Sequence, residues 1–129
     1  ILDAFDGIFP YSIAWAGDPA GQLGSYGGKV RAYNAANSAT KRWVATAMPG
    51  YDDTHIPGRG RTFSVDRAGG AYYQKTFQGA VASTPDWVMV TSFNEWLEGH
   101  QIEPSASYGT LFLDLTRTLG DSFRRTTGR

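Results

Sequence analysis

The chain has 129 residues, 12 basic and 12 acidic side chains, and no cysteine. Balanced charge argues against a nucleic-acid or anionic-membrane partner, and the missing cysteine excludes disulfides, thiolate zinc clusters and cysteine nucleophiles. No run approaches the ~18 apolar residues of a membrane span, and the length suits one domain or part of one. The chain opens on Ile1, straight into Leu2-Asp3-Ala4-Phe5, and so reads as the interior of a longer protein. Arg124, Arg125 and Arg129 read as a solvated tail.

Residues 7–13 read as a short strand, with Pro10 near its end because proline cannot sit in the middle of a ladder. The Gly/Pro-rich residues 16–28 read as loop, and residues 29–39 turn helical around Val30 and Tyr33. Residues 43–48 form a second apolar strand, closed by Pro49-Gly50. A long irregular segment, 51–68, carries Asp52-Asp53-Thr54-His55 and several arginines; loops of that length tend to be functional. Residues 70–83 follow as a helix with Tyr73, Phe77, Ala80 and Val81 on one stripe, then residues 87–93 as a third strand. Ser107 is a candidate cap for a last helix whose stripe is Tyr108, Leu111, Phe112, Leu115 and Leu119, stopped by Gly120. This strand–helix alternation predicts an α/β fold with a parallel sheet buried on both faces.

In such folds, sites collect at the carboxyl ends of the strands. Those ends carry Tyr11-Ser12 with Trp15, then Tyr51-Asp52-Asp53, then Asn94 to Glu98. The last is the sharpest concentration of chemistry. An apolar run, Val88-Met89-Val90, discharges into Asn94-Glu95-Trp96-Leu97-Glu98-Gly99-His100-Gln101-Ile102-Glu103-Pro104. Glu95 and Glu98 suit glycosidic hydrolysis, which uses two carboxyl groups in different protonation states. Two solvated glutamates on a helical turn are the alternative at this point. His100 either lines the cleft or packs against its rim. Asp52, Asp53 and His55 are of metal-ligand type, but no further ligand stands at helical spacing, so no metal is expected. No Gly-x-Ser-x-Gly elbow appears, and Gly21, Gly24, Gly27 and Gly28 lack phosphate-loop spacing.

The run from Thr91 to Pro104 resembles the motif of glycoside hydrolase family 99, the endo-α-mannosidases and endo-α-1,2-mannanases. Supporting matches are Phe5-Asp6-Gly7-Ile8-Phe9, Pro49-Gly50-Tyr51-Asp52-Asp53-Thr54, and Arg67 with Gly70, Tyr72 and Tyr73. The resemblance implies a (β/α)8 TIM barrel, of which residues 1–129 would be the C-terminal portion of a single catalytic domain, about three βα units. It implies an endo-acting, retaining hydrolase of α-mannosidic linkages, working on an oligosaccharide or polysaccharide without a cofactor. Glu95 would deprotonate the substrate's 2-hydroxyl, which attacks the anomeric carbon and gives a 1,2-anhydro sugar; Glu98 would be the general acid/base. Tyr11 matches a family tyrosine near the reacting sugar, and Tyr51, Asn94 and Trp96 are further substrate-binding candidates. An extracytoplasmic or secreted location would fit the family.

Leu97 and His100 depart from the histidine and threonine usual in the mannosidases. After Asp53-Thr54 the sugar-contacting arginine is replaced by an altered run in which Arg59 or Arg61 can substitute. The same residues also fit a family-99-like carbohydrate-binding or polysaccharide-biosynthesis domain. A partial barrel would leave sheet edges open, so the chain on its own is expected to be neither stable nor active.

Overall fold

The computed structural model describes residues 1–128. Three parallel strands, β1 (Gly7–Ile8), β2 (Arg42–Ala47) and β5 (Trp87–Val90), form a sheet in the order β1-β2-β5. Gly7 pairs with Arg42, and Val44 through Ala47 pair with Trp87 through Val90. Helix α1 (Pro19–Asn37) connects β1 to β2, α2 (Ala71–Ala82) leads into β5, and α3 (Leu111–Thr127) follows it. Three βα units in parallel are what the sequence pattern predicts. A two-stranded antiparallel hairpin, β3 (Tyr51–Asp52) and β4 (Ser64–Val65), interrupts the second crossover. It lies within the segment expected to be irregular throughout.

Helix α1 starts inside the stretch expected to be loop. Glycine costs a helix about 1 kcal/mol per position relative to alanine, which is why the four glycines read as loop. Local and tertiary terms override that cost. Asp18 caps the helix, its Oδ1 accepting from the Gly21 N–H at 3.1 Å, and Pro19 occupies the first turn where its missing N–H costs nothing. Leu23, Gly27 and Val30 are buried against the sheet. A Cβ on Gly27 would stand 2.7 Å from the Ser83 carbonyl oxygen, and one on Gly79 would stand 2.9 Å from Ala20 Cα. Glycine here permits close packing and does not break the helix.

The strands are shorter than expected: β1 stops at Ile8 and β5 at Val90, because the chain beyond each turns to build the rim. Helix α3 runs through Gly120 to a C-cap at Gly128, whose φ is 67°. Leu115, Leu119 and Phe123 pack beside α2 on both sides of that glycine, so it sits mid-helix. Thr110 takes the N-cap position in place of Ser107, its Oγ1 donating to Asp114 Oδ2 at 2.8 Å. Arg124 and Arg125 lie in the helix's last turn, and Arg129 is outside the described residues.

Both helix-side clusters use the same sheet face. Trp43 and Ala45 pack with Leu23 and Val30 of α1, and Ala47 with Tyr73 and Phe77 of α2 and Phe112 of α3. Two buried polar side chains on this side are paired: Trp43 Nε1 donates to Ser83 Oγ at 2.8 Å, and Thr76 Oγ1 donates to the Met48 carbonyl at 2.8 Å. On the opposite face the register places Trp87 beside Val44 and Met89 beside Thr46. Trp87 is 59% exposed and Met89 49% exposed, so that face is not covered by this chain. Among the described residues, no helix is long and apolar enough to cross a membrane.

Candidate active site

The segments after β1, β2 and β5 meet at one end of the sheet. Ile13 N–H donates to Met48 Sδ at 3.3 Å, folding the first segment over the end of β2. Thr46 Oγ1 bonds the Tyr11 carbonyl at 3.3 Å and lies 2.9 Å from Thr91 Oγ1, tying all three strand ends together.

The β5 segment closes on itself as a compact loop. Ser92 Oγ accepts from the Glu95 N–H at 2.8 Å, and the N–H groups of Ile102 and Glu103 return to the Phe93 carbonyl at 3.0 and 2.9 Å. The loop is then anchored from outside. The Asp52 N–H donates to the Glu98 carbonyl at 2.9 Å, and Gly99 lies against Asp52. Buried Arg67 donates to the Gly99 carbonyl at 2.7 Å, and to the carbonyl and Oε1 of Gln101 at 2.9 and 2.7 Å. Its guanidinium stacks over Tyr108 and Phe112, 4.9 and 4.5 Å from the ring centres. A planar five-donor group suits this task; a lysine ammonium could not bond three oxygens and stack at once.

Within this frame the two glutamates stand in different surroundings. Glu98 Oε1 lies 2.6 Å from Arg59 Nη1, and Oε2 lies 3.0 Å from His100 Nε2. Burial pushes the Glu98 carboxyl up, but hydrogen bonds from His100 and Arg59 outweigh it and hold the group below its ordinary value. Glu95 is half-buried, and its carboxylate makes no hydrogen bond or ion pair among the described residues. The charges of both glutamates reach the Tyr11 hydroxyl, which is raised first by burial and then by Glu95 and Glu98. Both carboxylates thus lie within electrostatic reach of the Tyr11 hydroxyl.

Arg59 is oriented by a second layer. Its Nε lies 2.9 Å from Asp53 Oδ2, and its Nη2 donates to the Tyr51 hydroxyl at 3.1 Å. The Tyr51 hydroxyl in turn donates to Asp53 Oδ2 at 3.1 Å, and Asp53 Oδ1 accepts from the Phe63 N–H at 2.8 Å. Burial and the bond to Asp53 push the Tyr51 phenol up to about 12, so it stays a donor. Tyr51 also forms the middle of a ring stack, 4.5 Å from Phe63 and 5.8 Å from His100.

Asn94 and Trp96 sit at the exposed tip of the loop. Trp96 is 46% exposed, with its Nε1 donating to Glu103 Oε2 at 2.8 Å. A separate cleft of about 330 Å³ opens between His55, Ser64, Asp66 and Tyr108; neither glutamate lines it.

The sequence profile of glycosyl hydrolase family 99 matches residues 1–124. The chain belongs to that family. It is 34% identical over 117 residues to a zebrafish (Danio rerio) protein described as glycoprotein endo-alpha-1,2-mannosidase-like, covering 88% of this chain and 26% of that one. It is 33% identical over 117 residues to rat (Rattus norvegicus) glycoprotein endo-alpha-1,2-mannosidase, covering 88% and 25%. Its structure superposes on the family 99 endo-alpha-mannosidase of Bacteroides thetaiotaomicron with a TM-score of 0.73 at 29% identity, covering 94% of this chain and 39% of that one. The chain thus spans about a quarter of the curated relatives it matches, and its α/β architecture is a portion of the family's barrel.

Family 99 membership accounts for the motif; the network behind it is particular to the geometry. His100, which the sequence left between lining the cleft and packing against its rim, stands beside Glu98 with Arg59, and Asp53, read from the sequence only as a strand-end residue of metal-ligand type, holds Arg59.

Proposed function

We propose that this chain is the C-terminal catalytic portion of an endo-acting, retaining glycoside hydrolase that cleaves α-mannosidic linkages by participation of the substrate's 2-hydroxyl. The observation that carries the reading is the unequal glutamate pair beside Tyr11: one carboxylate uncommitted, the other held between Arg59 and His100. The names of the relatives supply the substrate class.

In the first step Glu95 takes the proton of the sugar's 2-hydroxyl. O2 forms a bond to the anomeric carbon as the glycosidic C–O bond breaks, and Glu98 gives its proton to the departing oxygen. In the second, Glu98 takes a proton from water, whose oxygen bonds the anomeric carbon. The C1–O2 bond opens, and O2 recovers its proton from Glu95. Two displacements at one carbon return the original configuration. Neither glutamate bonds to the sugar, so Glu95 must be free to accept a proton, which its lack of partners permits. Asn94 and the exposed Trp96 indole complete a sugar-binding rim with Tyr11, while Tyr51, buried with its ring between Phe63 and His100, supports the rim from behind.

A second reading, a family-related carbohydrate-binding or polysaccharide-biosynthesis domain, is favoured by one observation: Glu98 is held ionised, whereas a general acid must carry a proton. Assay of the intact protein on an α-1,2-linked mannan separates the two. Cleavage is expected on the acidic side, where Glu98 is protonated, and Glu98→Gln lowers kcat about 10²- to 10⁴-fold. Mannan that is bound but never cut, or cleavage untouched by Glu98→Gln, overturns the assignment.

A further inference from the structure

The two groups that grip Glu98 differ in kind. Arg59 reaches Oε1 from the loop after β3, and its side chain is 37% exposed, so water competes for the guanidinium. His100 is fully buried. Its ring lies flat against Tyr51, interplanar angle 12°, and meets Tyr11 edge-on with centroids 6.0 Å apart. Its backbone is tied on both sides, the N–H to the Glu95 carbonyl at 3.3 Å and the carbonyl to the Ser92 N–H at 3.0 Å. The imidazole therefore has a single orientation, with Nε2 aimed at Glu98.

The other ring nitrogen makes the assignment sharper. Among the described residues, Nδ1 is buried without a hydrogen-bond partner. A hydrogen there would be a buried donor with nothing to bond, a costlier arrangement than a bare lone pair. The ring hydrogen accordingly sits on Nε2 and is donated to Glu98 Oε2.

We propose that His100 is a positioning residue for Glu98, a rigid buried donor that fixes the carboxylate in one rotamer from the side opposite Arg59. The proposal rests on the reading of Glu98 as the acid/base. The other charged or titratable groups facing Glu98 are Arg59 and, through it, Asp53 from the loop after β3, Tyr51 on β3 and Tyr11 after β1; Glu95 on the same loop acts on Tyr11. Of these, only Arg59 joins His100 in favouring the carboxylate. Removing the buried donor therefore leaves the weaker, wetter grip alone.

The test compares the intact wild-type protein with His100→Leu and His100→Gln, reading the Glu98 carboxyl titration by carbon NMR and the pH dependence of kcat and KM. In His100→Leu the Glu98 carboxyl is expected to titrate at higher pH, and the alkaline limb of kcat/KM to move up with it. Loss of positioning lowers kcat about tenfold to a hundredfold, with KM much less affected. Glutamine, which can present an amide N–H to Oε2, restores both toward wild type. A folded His100→Leu protein with the Glu98 titration and the alkaline limb unmoved overturns the proposal. If His100→Leu does not fold, His100→Thr against His100→Gln decides: equal Glu98 titration in the two overturns the proposal, and a higher value in the threonine variant supports it. A protein that cleaves no α-mannoside but whose Glu98 titration still moves in His100→Leu refutes the catalytic reading and supports the positioning contact.

Discussion

Glu98 ties function to stability through a single proton. Burial opposes its ionisation, but the His100 and Arg59 hydrogen bonds win, so the folded carboxyl sits below its ordinary value of 4.5. A carboxyl that binds its proton more weakly when folded stabilises the fold at pH above the unfolded value. That contribution is lost as pH falls through the lowered folded value. The thermal midpoint of the intact protein should therefore drop below about pH 4. Glu98→Gln should flatten part of this dependence while leaving the rest, a comparison that scanning calorimetry across pH makes directly. If the acid limb of stability is the same in both proteins, the clamp contributes nothing to the fold. The glutamate pair was legible in the sequence because a motif carried it. The clamp was not, since Asp53, Arg59 and His100 converge only after the hairpin folds, and residue spacing does not encode that.

Gly99 is the hinge point between the elements that build the rim. Its φ is 60°, in the left-handed region, and a Cβ there would stand 3.2 Å from the backbone N and O of Asp52. Both constraints act together: the residue must turn left-handed and must let the β3 backbone approach, so that the Asp52 N–H can reach the Glu98 carbonyl. Gly99→Ala should cost about 1–3 kcal/mol in denaturant unfolding. It should also depress activity more than that loss explains, because the strain moves Glu98 relative to Arg59. Unchanged stability and activity would show that the loop absorbs the substitution. The alternation of strands and helices was readable because burial imposes period 2 or 3.6 on apolar residues. Helix α1 was misread at its start because its glycines answer to neighbours far along the chain: Gly27 makes room for Trp43 and Ser83, which no local window contains. The β3–β4 hairpin escaped for a similar reason. Each strand has two residues, too few to show a period.

At the scale of the molecule, the sheet is finished on one face and bare on the other. Helices cover Trp43, Ala45 and Ala47, while Trp87 and Met89 stand exposed on the opposite side, and Phe9 and Phe93 are 40% and 54% exposed near the strand ends. In a closed barrel the inward face is packed by layers of side chains from all the strands. The superposition covers 39% of the Bacteroides thetaiotaomicron chain, so most of those layers lie outside the 129 residues. Exposed apolar faces of this kind associate or bind hydrophobic dyes, and both outer strands also present unpaired backbone groups. Expressed alone, the chain should show helical far-UV circular dichroism, bind an anilinonaphthalene dye strongly, and lose its structure on heating without a sharp cooperative transition. Trp87→Ser with Met89→Ser should reduce dye binding and self-association while leaving helix content intact, since neither side chain touches the helical side of the sheet. A sharp thermal transition in the unmodified chain, with no dye binding, would mean that the three βα units close their own core and that the bare face is not the inner wall of a barrel.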